Sequence, residues 1–112
     1  MDNRKEILKK LVEHPSETPE LVRLLSQFGW DSNDTLIKLE MKRIVVVLQS
    51  YVDGILTKSQ VEDWANAIEV RDDIELDEVS KNLIQDLANP ELSAHEMNET
   101  WAKRIISKYL LS

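Results

Sequence analysis

Two pairs of glutamates stand three residues apart in this chain, Glu75 with Glu78 and Glu96 with Glu99. On a helix that spacing places both carboxylates on one face, where they can share a divalent cation. The surrounding residues do not complete such a site. Counted from Asp73 as the first position of a calcium loop, Glu75 and Asp77 fall correctly, but the sixth position is Glu78 and the twelfth is Ile84; the loop needs glycine and glutamate there. A di-iron centre needs Glu-x-x-His pairs, and neither His14 nor His95 has a glutamate three residues before it. There is no cysteine, so thiolate zinc sites and thiol nucleophiles are excluded. No serine lies in a Gly-x-Ser-x-Gly setting, and no glycine-rich phosphate loop exists. The glutamates also have simpler roles. Glu96 completes a capping box with Ser93, Glu75 precedes a helix, and the two histidines sit at helix boundaries. The residues therefore predict no catalytic site, no metal and no cofactor.

Charge is more informative. The chain has 14 Lys and Arg against 21 Asp and Glu, a net −7. Glu62, Asp63, Glu69, Asp72, Asp73, Glu75, Asp77 and Glu78 face a single base, Arg71, so residues 62–78 hold the whole excess and the remainder is neutral. Acids before or within a first helical turn stabilise the dipole by about 0.3–1 kcal/mol each, which accounts for two or three of them. Like charges at this density repel, so these eight residues are the candidate surface for a basic protein partner. Nucleic acid and anionic membranes select basic surfaces and are not expected. Trp30 follows a glycine and lies on no apolar stripe, which makes it a second candidate contact.

The elements that must position these residues read as helices. Ile7, Leu8, Leu11 and Val12 form one face of a helix over Arg4 to Glu13, ended by His14-Pro15. Thr18 is expected to cap a second, with Pro19 at its first position and Leu21, Val22, Leu24, Leu25 and Phe28 inward; Gly29 ends it. A third is expected from about Asp34 to Val52 after caps at 31–33, on the 4-3-4-3 spacing of Ile37, Met41, Ile44, Leu48 and Tyr51. Gly54 stops it. Its Val45-Val46-Val47 run leaves a strand as the competing reading. Thr57-Lys58-Ser59-Gln60 is a capping box for a fourth, which turns Val61, Trp64, Ala65 and Ile68 inward. Residues 71–76 read as a polar connector. A fifth helix spans about Asp77 to Ala88, with Val79, Leu83, Ile84 and Leu87 inward, and a last one follows Ser93 to about Leu110, burying Met97, Trp101, Ile105, Ile106 and Tyr109.

Six helices with short connections predict an all-α single compact bundle with no sheet, one helical domain over 1–112. A chain of 112 residues buries roughly 65% of its unfolded surface, enough for a core without staples. The longest apolar run, Ile44 to Leu48, is far short of the roughly 20 residues of a membrane span. The polar, mixed-charge start at Met1-Asp2-Asn3-Arg4 is unlike a secretory signal, so a cytoplasmic protein is expected.

The stretch from Tyr51 to Ile74 carries Gly54-Ile-Leu-Thr57, Glu62-Asp-Trp-Ala65 and Arg71-Asp-Asp-Ile74. It resembles a block in small helical bacterial proteins, some of which look like immunity proteins of contact-dependent growth inhibition and polymorphic toxin systems. The resemblance covers 24 of the 112 residues. It implies a cytoplasmic inhibitor, with no catalytic residues, that binds the toxin domain of its own system; a monomer in that complex is expected. A basic nuclease toxin is the partner that joins this resemblance to the charge pattern. Two competing classes are a small acidic metal-dependent nucleotide hydrolase, since all-α pyrophosphohydrolases hold magnesium with paired acids, and a non-enzymatic adaptor of a bacterial complex. Those hydrolases usually end the second pair in aspartate; here it ends in Glu99.

Overall fold

The computed structural model describes residues 4–28, 37–71, 74–89 and 98–110. Among them the chain forms six α-helices: α1 (Arg4–Glu13), α2 (Thr18–Leu25), α3 (Met41–Val52), α4 (Lys58–Glu69), α5 (Glu78–Ala88) and α6 (Glu99–Leu110). The all-α architecture expected from the apolar periodicity is thus present. Helix α1 packs on α2, α2 on α4, α4 on α5, and α3 on α6. One apolar cluster runs through all of them, from Leu8 and Leu11 through Leu25, Ile44 and Leu48 to Trp64 and Ile84.

Proline decides how the first two helices are joined. In α1 the carbonyl of Lys10 accepts from the amide of His14 at 2.7 Å. The next carbonyl, that of Leu11, would look to residue 15, which is proline and has no N–H to donate. The indole N–H of Trp64 donates to it instead, at 2.8 Å. Trp64 is completely buried, so a polar group that proline leaves orphaned at a helix end becomes the anchor of α4. The chain then makes one 3-10 turn over Pro15–Glu17. The Thr18 hydroxyl donates to the Pro15 carbonyl at 2.7 Å. Thr18 is therefore the buried first residue of α2, and Glu17 occupies the cap position expected for Thr18.

Two sequence-based expectations about faces change, those for Val22 and Val79. Val22 stands at the edge of the buried stripe of α2 and keeps 43% of its surface exposed. Val46 is 50% exposed because Ile44, Val45, Val47 and Leu48 define the opposite side of α3. On α5 the inward stripe runs through Ser80, Ile84 and Leu87. At 100° per residue, Val79 lies about 100° from its centre and is 49% exposed.

The expectation of no sheet, and of a third helix beginning near Asp34, is corrected by a parallel pairing. Ile37–Lys38 (β1) pairs with Ile74–Glu75 (β2), Ile37 opposite Ile74 and Lys38 opposite Glu75. The amide of Leu39 extends the ladder by donating to the carbonyl of Glu75 at 2.9 Å. Glu40 is still extended (ψ 153°), so α3 starts at Met41. The connector expected at 71–76 therefore contains a strand, and its Ile74 is buried. The Val45–Val47 run is helical, which removes the competing strand reading. The caps at 31–33, the stop at Gly29, the Ser93–Glu96 capping box and Met97 lie outside the described residues.

The end of α3 explains Gly54. Its amide donates to Tyr51 and that of Ile55 to Ser50, at 3.1 and 2.9 Å, the paired bonds of a Schellman turn. That turn needs a left-handed residue, and Gly54 has φ +80°. The capping box opens α4 as expected: the Thr57 hydroxyl accepts from the Gln60 amide at 3.1 Å and the Gln60 side chain accepts from the Thr57 amide at 2.9 Å.

Two outcomes are expected in urea denaturation. Trp64→Phe keeps an aromatic ring but leaves the Leu11 carbonyl without its donor, a loss of about 1–3 kcal/mol that should lower the midpoint without changing the slope. Gly54→Ala meets no neighbouring atom within 4 Å, so its cost of about 1–2 kcal/mol arises from the left-handed backbone alone.

Candidate functional site

The acidic residues sit on the outer sides of elements whose inner sides build the core. Helix α4 turns Val61, Trp64, Ala65 and Ile68 inward. Asp63 and Glu69 are therefore exposed and Glu62 is half-buried. Glu75 projects outward from β2 because its neighbour Ile74 points in. Asp77 caps α5 and Glu78 is its first residue, both exposed. Asp72, Asp73 and Trp30 lie outside the described residues.

The described acids do not converge on one cavity. Glu69 and Glu75 line a groove of about 320 Å³ together with two bases, Arg71 and Lys81. The Glu69 carboxylate also accepts from the Asn89 side chain at 2.8 Å. Asp77 and Glu78 line a second groove, of about 450 Å³, with Met41, Lys42, Val79 and Tyr109. Glu62 and Asp63 stand apart on the outer side of α4. The Glu75–Glu78 pair is divided between strand and helix and between the two grooves, so it does not present the one-face pair that a shared cation needs. Among the described residues no three metal-ligating side chains come together.

Salt bridges of the described residues include Glu20–Arg23, Glu40–Lys42 and Glu99–Lys103, at 3.3, 3.3 and 2.9 Å. Among the described residues, Glu62, Asp63, Glu69, Glu75, Asp77 and Glu78 take part in no salt bridge. Asp77 is the acid with a structural task. The amide of Ser80 donates to its carboxylate at 2.7 Å. That bond holds the Asp77 carboxyl below its ordinary value, and the ammonium of Lys38 adds to the shift.

Lys38 was not legible as a neighbour of Asp77, because only the β1–β2 pairing brings it there. Lys81 is the other base that sequence distance hides; one helical turn past Asp77, it turns toward the groove of Glu69 and Glu75. Among the described residues no helix is long and apolar enough to cross a membrane. Comparison with protein-family models, with curated proteins and with solved structures finds no match to this chain.

The sign of the Asp77 effect follows from its lowered value. Its stabilisation is complete above the ordinary carboxylate value of 3.8 and is lost as pH falls through the lower folded value. Asp77→Ala should therefore lower the thermal midpoint at neutral pH, with the difference from wild type shrinking in strong acid. Asp77→Asn should retain most of the cap, since Asn and Asp cap helices comparably, and should lose this acid dependence. Parallel melts of the three proteins across the acid range measure it.

Proposed function

We propose that this chain is an immunity protein that binds and neutralises a basic nuclease toxin domain through its acidic outer surface. The observation that carries this reading is the placement of the charge excess. It is confined to residues 62–78, and its described members stand outside the core and outside the ion pairs. A surface that keeps repelling carboxylates outside salt bridges is suited to an external cationic partner. An enzyme that degrades a polyanion must present cations around its active site. An acidic helical face can occupy that cleft and exclude substrate, and opposite fields raise the association rate. The resemblance of residues 51–74 to immunity proteins supports the same reading. The division of Glu75 and Glu78 between two grooves gives the nucleotide-hydrolase alternative no comparable support.

The partner to test is a basic nuclease domain at the C-terminus of a large secreted protein, if one is encoded directly upstream of this gene. An equimolar amount of this chain should abolish its nuclease activity, with no turnover of nucleotide by the chain itself. Higher salt should weaken binding mainly by slowing association. Asp63→Lys, Glu69→Lys and Glu75→Lys together should reduce the association rate at least tenfold, within the 10–10³ range of electrostatic steering. Helicity should be unchanged, since exposed changes usually cost less than about 0.5 kcal/mol each. Surface plasmon resonance at two ionic strengths reads these rates; a triple variant that associates as fast as wild type would overturn the reading.

A further inference from the structure

Four of the 14 lysines and arginines of the chain line a single groove of about 270 Å³. Lys9 comes from α1, Lys38 from β1, and Lys42 and Arg43 from the first turn of α3. The fold brings them together. Helix α1 lies against β1, and the strand passes through the extended Glu40 directly into α3. Val12 and Ile37 give the groove an apolar part, and two acids, Glu13 and Glu40, complete its lining.

Most of the positive charge has no salt bridge inside the chain. Glu40 pairs with Lys42 at 3.3 Å. Among the described residues Lys9, Lys38 and Arg43 take part in no salt bridge, and neither does Glu13, one turn along α1 from Lys9. Three bases thus stand against one acid. The charge of Lys38 also reaches Asp77, but that carboxylate already accepts from the Ser80 amide. Arg43 is the most telling of the three. Its neighbour Ile44 is completely buried, and Arg43 itself is half-buried. Its guanidinium gives up part of its hydration with no side-chain bond among the described residues in return. The planar fork of an arginine fits two oxygens of one anion at once.

Size and field define the anion. The groove is smaller than the roughly 300–1,000 Å³ of pockets for drug-sized ligands, so it suits a compact group. A long polyanion would meet the net −7 of the chain and, next to the groove, the cavity that Lys42 shares with Asp77 and Glu78. We infer that the groove between α1, β1 and the start of α3 binds a compact, doubly charged oxyanion, a phosphate ion or the phosphoryl group of a small molecule, with Arg43 as bidentate donor and Lys9 and Lys38 as flanking point charges. This site lies outside residues 62–78 and does not rest on the inhibitor reading. Nuclease inhibition can fail while phosphate binds, and the reverse.

The test titrates isotope-labelled protein with inorganic phosphate, methyl phosphate and a short single-stranded DNA, all at one ionic strength set with chloride. Phosphate should shift the amides of Lys38 and Arg43 and the Nε–H of Arg43 saturably, and chloride alone should not. Tighter binding of methyl phosphate assigns the phosphoryl group of a small molecule; equal or weaker binding assigns the free ion. Arg43→Lys keeps the charge but loses the fork, and should weaken phosphate binding about tenfold. Lys38→Gln should weaken it about two- to fivefold, the range of an exposed charge pair, and carries the test if Arg43→Lys changes the circular dichroism. Lys103→Gln, off the groove, should change nothing. The inference is overturned if phosphate gives no saturable shifts at Lys38 and Arg43, if the folded groove variants bind it as wild type does, or if the DNA binds these residues more tightly than either phosphate.

Discussion

The hydrogen bond from Trp64 to the Leu11 carbonyl organises the molecule. A buried carbonyl without a donor costs about 1–3 kcal/mol, and Pro15 guarantees that α1 cannot supply one from its own continuation. The indole does so while filling the centre of the core with the largest fully buried side chain. Helix α4 is thereby fixed in rotation as well as in position. Once Trp64 points at α1, the helical period places Asp63 and Glu69 on the other side, and the end of α4 delivers the chain to β2 and the cap of α5.

Packing and charge are consequently separated along the same stretch. Gly54, Leu56, Thr57, Trp64 and Ile74, all within the block that resembles immunity proteins, serve the turn, the cap, the core and the sheet. The acids between and after them are borne on the outside of that frame. The interior of the block thus answers to architecture, and its exterior is available to set what the proposed inhibitor meets.

Much of this was readable from sequence wherever a local rule acts alone. The bounds of the first helix followed from its apolar stripe and Pro15, the opening of the fourth from its capping box, and the end of the third from Gly54. The departures arise where distant chain segments decide. Ile37 continues the spacing of Met41 and Ile44, yet it joins a strand because residue 74 lies beside it. Val79 matches the apolar period of α5 as well as Ser80 exceeds it in polarity, but the position of α4 selects the side that is buried. The acidic segment was legible as charge; its division between two grooves depends on where the core turns each element and has no sequence signal.

The short β1–β2 pairing depends on the core that lies beside it. Its register joins residues 37 positions apart, Ile37 to Ile74, and closing a chain loop of that length costs roughly 3 kcal/mol in configurational entropy. A few ladder bonds at about 1 kcal/mol each barely offset this, so the latch holds chiefly because Leu39 and Ile74 are buried in the core. The pairing is thus a dependant of the core: a change that loosens Leu39 or Ile74 also loosens the ladder beside Glu75, whereas the ladder bonds alone would not hold the two segments together.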